Sequence, residues 1–350
     1  MSEKSRTRWY FLVGLISNVL LGMGGFSGHA AEPAERFQFQ QVHMGVDFTL
    51  VFYAEDQLAA NRAADAAFKR IAELNAKLSD YDNQSELSKL SRTSGSGREV
   101  PVSDDLWRVL VAAEKLSTRT EGAFDVTVGP LARLWRRARR QHELPSTKRI
   151  ANALRSVGHQ YIAFNPATKS IALARENMRL DLGAIAKGFA ADEALGVLRE
   201  WDCPHAMVDG SGDLAIGDPP PGADGWKIAI ATRDEAADHP NPTLSLSNCG
   251  VATSGDVYQF IEIDGHRYSH IVDPKTGLGL TTPCTVTIVA ADGMEADSLA
   301  SAVSVLGPVR GLRLIEEIDH AEAIIVIQQD GVMRHYKSSG LASLLRTADP

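Results

Sequence analysis

The chain has 350 residues, of which 44% are hydrophobic and 23% are charged, as in a globular protein with a substantial core. Its formal net charge of −8 argues against nucleic acid as the main partner, because a phosphate-binding surface needs clustered Lys and Arg. One basic run, Arg136–Arg140, is interpreted as a solvated helix face. The cysteines, Cys203, Cys249 and Cys284, lack CxxC spacing and are expected to be small core residues, although Cys203 and Cys284 could pair in an oxidising compartment.

The N-terminal segment has the pattern of an export signal. Three basic residues lie in Met1–Arg8, the stretch Trp9–Gly28 carries no charge, and Gly28-His29-Ala30 resembles a cleavage site. We therefore expect residues 1–30 to be a signal peptide or a retained N-terminal anchor, followed by a linker at residues 31–36 and one enzyme domain at residues 37–345. The expected location is periplasmic, or tethered to the outer face of the inner membrane.

The first half of the domain mixes strand and helix patterns. Phe37–Tyr53 alternates in the period of a strand, and Gln57–Leu78 carries its apolar residues on one helical stripe. Asp105–Leu116 predicts a second amphipathic helix, and Ser94–Gly97 predicts a loop between the two helices.

The second half is richer in strands. Trp226–Ala231 and Cys284–Ala290 are short β-type runs, and Asp264-Gly265 and Asp330-Gly331 each separate two alternating runs. Asp-Gly in that position is a strong hairpin signal. The pattern predicts an α+β fold in which helices cover antiparallel sheet. No GxGxxG follows a strand, and GxxxxGK[ST], HExxH and GxSxG are missing from the sequence, so any phosphate site must be of another kind.

A carboxylate and a hydroxyl fall on one face of a predicted helix that ends at Gly307. Asp297 and Ser301 are four residues apart, and two oxygen groups near a helix N-terminus suit a hard cation such as Mg²⁺. The alternative is that Asp297 only caps the helix.

A second segment, Arg179–Asp192, predicts a short strand that ends at Asp181 and meets a helix through Gly183. Lys187 then lies in the first helical turns, where it could meet a phosphate as a point charge. The alternative is a plain strand–helix junction with a surface lysine.

Two further segments carry candidate site residues. Gly122–Leu131 includes Asp125, and Ala252–Asp256 precedes Tyr268–Gly277, in which His270 stands between a hairpin and a turn. A histidine in that position is a candidate general base, although a lone histidine is more often structural.

Taken together and in this order, these segments resemble the FAD:protein FMN transferase family, the ApbE-like flavin transferases. Met44-Gly45, Ser79–Leu87 and Val208–Asp213 also match the family pattern. The resemblance implies a T-fold-like architecture of antiparallel sheets covered by helices, with a smaller associated subdomain. It implies FAD as substrate, Mg²⁺ as cofactor, and an exported or membrane-bound acceptor protein with a Ser/Thr flavinylation motif.

The resemblance also assigns site residues. Contacts to the flavin nucleotide are implied for Met44, Tyr81, Ala123, Phe124, Asp125, Asp181, Lys187 and His270. Metal binding is implied for Ala184 (through its carbonyl), Asp297, Ala300 and Ser301, and catalytic roles for His270 and Asp297. The family usually has Thr at Ser301 and Gly at Ser211, and many relatives carry a lipid-bearing Cys that is missing here.

The activity implied is Mg²⁺-dependent transfer of FMN from FAD to a Ser or Thr hydroxyl, with release of AMP. Two alternatives stay open. One is an FAD pyrophosphatase, in which water replaces the protein hydroxyl, and the other is a flavin-binding protein without catalysis.

Overall fold

The computed structural model describes residues 34–230, 243–255 and 259–344, which belong to one compact unit. The expected signal segment at residues 1–30 lies outside the described residues. The strands are β1 Glu35–His43, β2 Val46–Ala54, β3 Val100–Pro101, β4 Ile162–Asn165, β5 Ser170–Leu173, β6 Ala206–Asp209, β7 Asp213–Ile216, β8 Trp226–Ala229, β9 Thr243–Leu246, β10 Cys249–Gly255, β11 Phe260–Ile263, β12 His266–Ser269, β13 Cys284–Ala290, β14 Glu322–Gln329 and β15 Val332–Lys337.

Helices stand between and after these strands along the chain. They are α1 Gln57–Leu78, α2 Glu86–Ser91, α3 Asp104–Arg119, α4 Gly129–Gln141, α5 Thr147–Leu154, α6 Ala186–Glu200, α7 Gly293–Glu316 and α8 Leu341–Leu344, with a 3₁₀ turn at His159–Tyr161.

The centre of the fold is an eight-stranded antiparallel sheet with the order β1-β2-β6-β7-β10-β13-β14-β15. Helices α1, α6 and α7 pack on one face, and the β8–β9 hairpin contributes Trp226 and Leu244 to the cluster on the other. Successive side chains of strand β2 point to opposite faces of the sheet. Phe48 and Phe52 therefore pack in the core beneath the helices, whereas Val51 packs in the cluster on the other face. The predicted fold class is confirmed.

A two-residue turn at Met44-Gly45 divides the segment that the sequence pattern predicts as continuous extended chain. Met44 has φ +51° and Gly45 has φ +78°, and His43 pairs with Val46 across the turn. Positive φ at both turn residues matches the right-handed twist of a hairpin. Strand β1 begins at Glu35, within the expected linker at residues 31–36.

Helix α1 has the bounds that its hydrophobic stripe predicts. Asp56 caps it by accepting a hydrogen bond from the Ala59 N–H at 2.7 Å, and the whole stripe from Ala60 to Leu78 is buried. Arg70 on its outer side bonds to Asp105 of α3 and Glu193 of α6, which ties three helices together. Both predicted Asp-Gly hairpins are confirmed as β11–β12 and β14–β15.

A smaller three-stranded sheet has the order β3-β5-β4, and its Phe164 packs edge-on against Trp107 of α3. This sheet belongs to the same compact unit as the large one, so the smaller subdomain that the resemblance implies stays a prediction. The three cysteines, all within the described residues, form no disulfide with one another, and Cys203 and Cys284 are buried.

One sequence prediction needs correction. Arg179–Asp181 is not a regular strand, because its only β-bridge among the described residues joins Arg179 to Val128. The helix that contains Asp297 ends at Gly307, as the sequence predicts. That residue adopts φ +73° and breaks the helix, and helical backbone resumes at Pro308, a residue suited to a first helical turn. Helix α7 is long and apolar enough to cross a membrane by composition, but half of it is buried within the fold.

Candidate active site

A cavity of about 1010 Å³ opens between the turn after β1, the start of α6, helix α4 and the first turns of α7. This volume lies at the upper end of the range for small-molecule sites. Eleven of the twelve predicted site residues line it: Met44, Tyr81, Ala123, Phe124, Asp125, Asp181, Ala184, Lys187, His270, Asp297 and Ser301. Ala300 does not line the cavity, because it lies fully buried on the core side of α7.

Lys187 is the centre of a buried charge cluster. It is the second residue of α6, and its ammonium contacts the Asp213 carboxylate and lies 3.9 Å from Asp297 Oδ1. The Gly188 N–H donates to Asp297 Oδ2 at 3.1 Å. Asp209 lies near the same lysine and accepts a hydrogen bond from the Gly212 N–H at 2.7 Å. One cation therefore faces three carboxylates.

The electrostatics of this cluster favour an additional cation. Burial by itself would lower the pKa of Lys187, but the carboxylates of Asp297 and Asp213 raise that pKa above its ordinary value. Burial raises the pKa of Asp209, of Asp213 and of Asp297, and repulsion between Asp213 and Asp297 adds to the shift of Asp213. Because burial disfavours the ionised forms of these three carboxyl groups, a bound cation would stabilise those forms.

The predicted metal residues fit Mg²⁺ by their chemistry. Within the described residues, no group of three or more His, Cys, Asp or Glu side chains is placed to hold a metal ion. The candidate set instead offers the Asp297 carboxylate, the Ser301 hydroxyl and the Ala184 carbonyl, from three residues that all line the cavity. Mg²⁺ commonly takes one or two carboxylates and completes its shell with water and substrate phosphates. The alternative that Asp297 only caps α7 is wrong, because Asp292 is the N-cap residue and accepts the capping hydrogen bond from the Glu295 N–H.

Asp125 shapes the wall formed by the loop before α4. Its Oδ1 accepts hydrogen bonds from the Thr127 N–H at 2.8 Å and the Thr127 hydroxyl at 2.6 Å, and its Oδ2 accepts from the His159 N–H at 2.8 Å. Burial raises its pKa despite these bonds. With both oxygens already bonded, Asp125 holds the loop that presents Ala123 and Phe124 to the cavity.

Asp181 belongs to an ionic network on another wall. Arg136 of α4 donates to Asp181 Oδ2 at 2.7 Å and forms two contacts with Asp80. Its guanidinium also lies 4.1 Å from the centre of the Tyr81 ring, so it covers one face of that ring while Tyr81 stays largely exposed. The Gly183 N–H donates to Asp181 Oδ1 at 2.9 Å, which links this network to the loop before Lys187.

His270 lies at the cavity edge, directly after β12. Its Nδ1 is 3.1 Å from the carbonyl oxygen of Gln259, and its backbone N–H donates to the same oxygen at 2.9 Å. A carbonyl oxygen only accepts, so the neutral ring in this contact carries its proton on Nδ1 and keeps the Nε2 lone pair. This tautomer suits a proton acceptor.

Comparisons with known proteins give the family. The model of the ApbE family matches residues 44–325. The FAD:protein FMN transferase of Haemophilus influenzae is 30% identical over 288 residues, which are 80% of this chain and 82% of that protein. The solved structure of the flavin transferase ApbE from Vibrio cholerae has a TM-score of 0.79 at 26% identity, covering 89% of this chain and 100% of its own. The ApbE protein of Thermotoga maritima has the same TM-score and coverage at 27% identity.

The chain belongs to the ApbE family. It is a transferase enzyme, as the resemblance predicts. The family match lies within the expected domain at residues 37–345.

Sequence reasoning missed charged residues of this ApbE-family cavity, among them Asp80, Asp213, Arg136 and Arg139. The interpretation of the basic run as a solvated face is wrong for Arg136 and Arg139, because both are partly buried in the cavity wall. The sequence could have indicated their partial burial, because Arg136 and Arg139 lie next to the apolar stripe of Trp135 and Ala138 along α4. Ser211 also lines the cavity and adopts φ +64°, a conformation that favours the glycine usual in the family.

Proposed function

We propose that this chain catalyses the Mg²⁺-dependent transfer of FMN from FAD to a Ser or Thr hydroxyl of an acceptor protein, with release of AMP. The observation that carries the proposal is the Lys187–Asp213–Asp297 cluster at one wall of a cavity of about 1010 Å³ in an ApbE-family chain. The relatives named FAD:protein FMN transferase support the choice of substrate.

The reaction is a displacement at phosphorus. The acceptor hydroxyl oxygen attacks the FMN-side phosphorus of FAD, and a phosphoester bond forms while the bond to the oxygen of the AMP phosphate breaks. AMP leaves with that electron pair, and the hydroxyl proton passes to a base. Negative charge builds on the phosphoryl oxygens, so catalysis depends on positive groups already in place.

Lys187 supplies one such group. Its contacts with Asp213 and Asp297 keep the ammonium protonated, and its position at the start of α6 places it beside backbone N–H groups that favour anions. Mg²⁺, when bound, would neutralise charge on the phosphoryl oxygens. Asp297, Ser301 and the Ala184 carbonyl are the residues that would hold it.

His270 is the proposed proton acceptor, because its Nδ1 contact with the Gln259 carbonyl favours an Nε2 lone pair. A cavity aspartate is the alternative base. The variant His270→Gln distinguishes these two candidate bases. If His270 takes the proton, the variant loses FMN transfer but keeps its affinity for FAD. If an aspartate takes the proton, FMN transfer continues.

Export and an exported or membrane-bound acceptor complete the proposal. Both rest on the N-terminal sequence: the basic residues in Met1–Arg8, the uncharged stretch Trp9–Gly28 and the cleavage-like sequence Gly28-His29-Ala30. Cell fractionation tests them, and full-length chain found in the cytosol would refute export.

The deciding experiment incubates the purified chain with FAD, Mg²⁺ and a candidate exported acceptor. We expect slow AMP release from FAD alone, faster AMP release with acceptor, and FMN bound to the acceptor through a phosphoester in mass spectrometry. Because a closed site excludes water, a transferase hydrolyses FAD poorly without acceptor. Free FMN and AMP formed at one rate with or without acceptor would establish a pyrophosphatase instead. Binding of FAD without AMP release would establish a non-catalytic flavin protein.

A further inference from the structure

Helix α4 concentrates positive charge on one side. Its buried stripe consists of Leu131, Trp135 and Ala138, and the rest of its circumference is dominated by five arginines. At 3.6 residues per turn these arginines cover one continuous part of the helix surface. We call this surface the arginine arc; its members are Arg133, Arg136, Arg137, Arg139 and Arg140.

The arginine arc runs from the cavity wall to the protein surface. Arg136 and Arg139 line the cavity, whereas Arg133, Arg137 and Arg140 are exposed around a second hollow of about 430 Å³. A molecule that entered the cavity over helix α4 would therefore meet arginines along its whole path.

Most of this charge has no internal partner in the part of the chain that the structure describes. Arg136 is paired with Asp80 and Asp181. The salt bridges among the described residues involve none of the other four arginines, and α4 itself contains no Asp or Glu. Arg137 bonds to the amide of Gln141, at 2.7 Å. Arginines four residues apart repel one another, so the arc is costly for the isolated helix.

We propose that the arginine arc docks the acceptor protein by binding acidic side chains near the hydroxyl that receives FMN. This inference rests on the proposed function, because it requires an acceptor that reaches the same cavity. Arginine pairs with carboxylates through two parallel hydrogen bonds, which supplies orientation as well as attraction. A chain with a net charge of −8 would otherwise repel an acidic partner.

A protein segment fits the arc better than a lipid surface does. The arc continues inward through Arg139 to Arg136, along a wall of the cavity. A peptide chain can follow that path and bring a carboxylate to Arg139, whereas a flat membrane meets only the exposed arginines. Membrane binding is therefore an outcome that would contradict the proposal.

The test uses two short fluorescent peptides, each with one central threonine. In one peptide aspartates flank the threonine on both sides, and in the other asparagines replace them. We expect the FAD-bound enzyme to bind the aspartate peptide roughly tenfold more tightly at low salt, with the difference lost at high salt. The double variant Arg133→Gln and Arg140→Gln removes most of this preference, because glutamine keeps the helix but not the charge.

The matched control is Arg62→Gln with Lys69→Gln. These residues are also exposed, also seven positions apart on one helix, and outside the cavity lining. The control should keep the peptide preference and FAD affinity of the unmodified enzyme. The docking proposal would be overturned if both double variants lost the preference for the aspartate peptide equally. It would also be overturned if the unmodified enzyme bound the two peptides equally well.

Two further readouts separate this proposal from its alternatives. Peptide binding is measured without turnover, so FMN transfer can succeed while docking fails, and docking can hold while transfer fails. Sedimentation with vesicles of phosphatidylglycerol and phosphatidylcholine tests the membrane. Vesicle binding that depends on Arg133 and Arg140, without any peptide preference, would assign the arc to lipid and overturn the proposal.

Discussion

Gly188 and Asp297 join two helices at the candidate active site through one hydrogen bond. The Gly188 N–H of α6 donates to Asp297 Oδ2 of α7 at 3.1 Å. The contact requires the two helices to approach closely, and a Cβ atom added at Gly188 would lie 2.0 Å from the carbonyl oxygen of Gly293. The glycine therefore sets the distance between Lys187, its neighbour in sequence, and the proposed metal residue Asp297.

Gly188→Ala is expected to destabilise the protein by about 2–3 kcal/mol, because the clash is with backbone and cannot be relieved by a rotamer change. Urea denaturation measures the loss. Gly196→Ala on the same helix is the matched control, since a Cβ there meets nothing within 4 Å. The control should be neutral or gain up to about 1 kcal/mol, because alanine favours helix. Equal effects of the two variants would contradict the close-approach argument.

Asp297→Asn is expected to lower FMN transfer by more than about a hundredfold while the fold stays intact. Asparagine can still accept the Gly188 hydrogen bond, but it no longer offers a charged ligand to Mg²⁺. The measurement that does not depend on turnover is the rise in melting temperature on adding Mg²⁺, which this variant should lose. Asp319→Asn removes an exposed carboxylate and should keep both properties. Normal turnover of the Asp297 variant at low Mg²⁺ would refute the metal assignment.

Arg136→Gln is expected to weaken FAD binding and to destabilise the protein by roughly 1–3 kcal/mol, because it leaves Asp80 and Asp181 without their cation in a partly buried wall. Arg137→Gln, the adjacent exposed residue of α4, should leave FAD binding and stability unchanged. Titration of FAD fluorescence and urea denaturation measure the two effects. A normal FAD affinity in the Arg136 variant would show that the network does not shape the nucleotide site.

The parts of the fold that local sequence determines could be predicted closely. Helix α1 has the predicted bounds because its stripe, its Asp56 cap and its length all favour the same helix. The Asp264-Gly265 and Asp330-Gly331 hairpins were predictable because their turn conformation has positive φ at both residues, which Asp-Gly tolerates. The pairing of β1 with β2 was missed because Met44 adopts positive φ, which a methionine rarely does.

The candidate site was predictable only where family motifs named its residues. Asp297 and Lys187 lie on different helices, and no local pattern states that they approach to 3.9 Å. Arg136 was misassigned because a charge run on a helix is usually solvated, and tertiary packing decides which of its faces turns towards Asp80 and Asp181. Periodicity identifies the buried stripe of a helix, whereas the partners of its polar flanks depend on contacts distant in sequence.

Asp192 should make stability depend on pH near neutrality. Its two carboxylate oxygens accept hydrogen bonds from the Gly293 and Met294 N–H groups of α7, at 2.7 and 2.8 Å. Burial and repulsion from Asp292 outweigh these bonds and raise its pKa to about 7. Between about pH 4 and pH 7 the folded protein therefore holds a proton that the unfolded chain has lost, so the free energy of unfolding falls as pH rises through this window.

Comparison of Asp192→Asn with the unmodified protein isolates this effect. A pKa that differs by about 3 between the folded and unfolded states corresponds to roughly 4 kcal/mol, and because Asp192 is only partly buried we expect a fall of about 2 kcal/mol between about pH 5 and pH 8. The asparagine of the variant has no proton to lose, so the urea midpoints of Asp192→Asn should change less over the same range. Asp319→Asn should follow the unmodified protein. Identical pH dependence in all three proteins would show that Asp192 is ionised in the folded state throughout, and that the N-terminus of α7 stabilises its charge more strongly than burial opposes it.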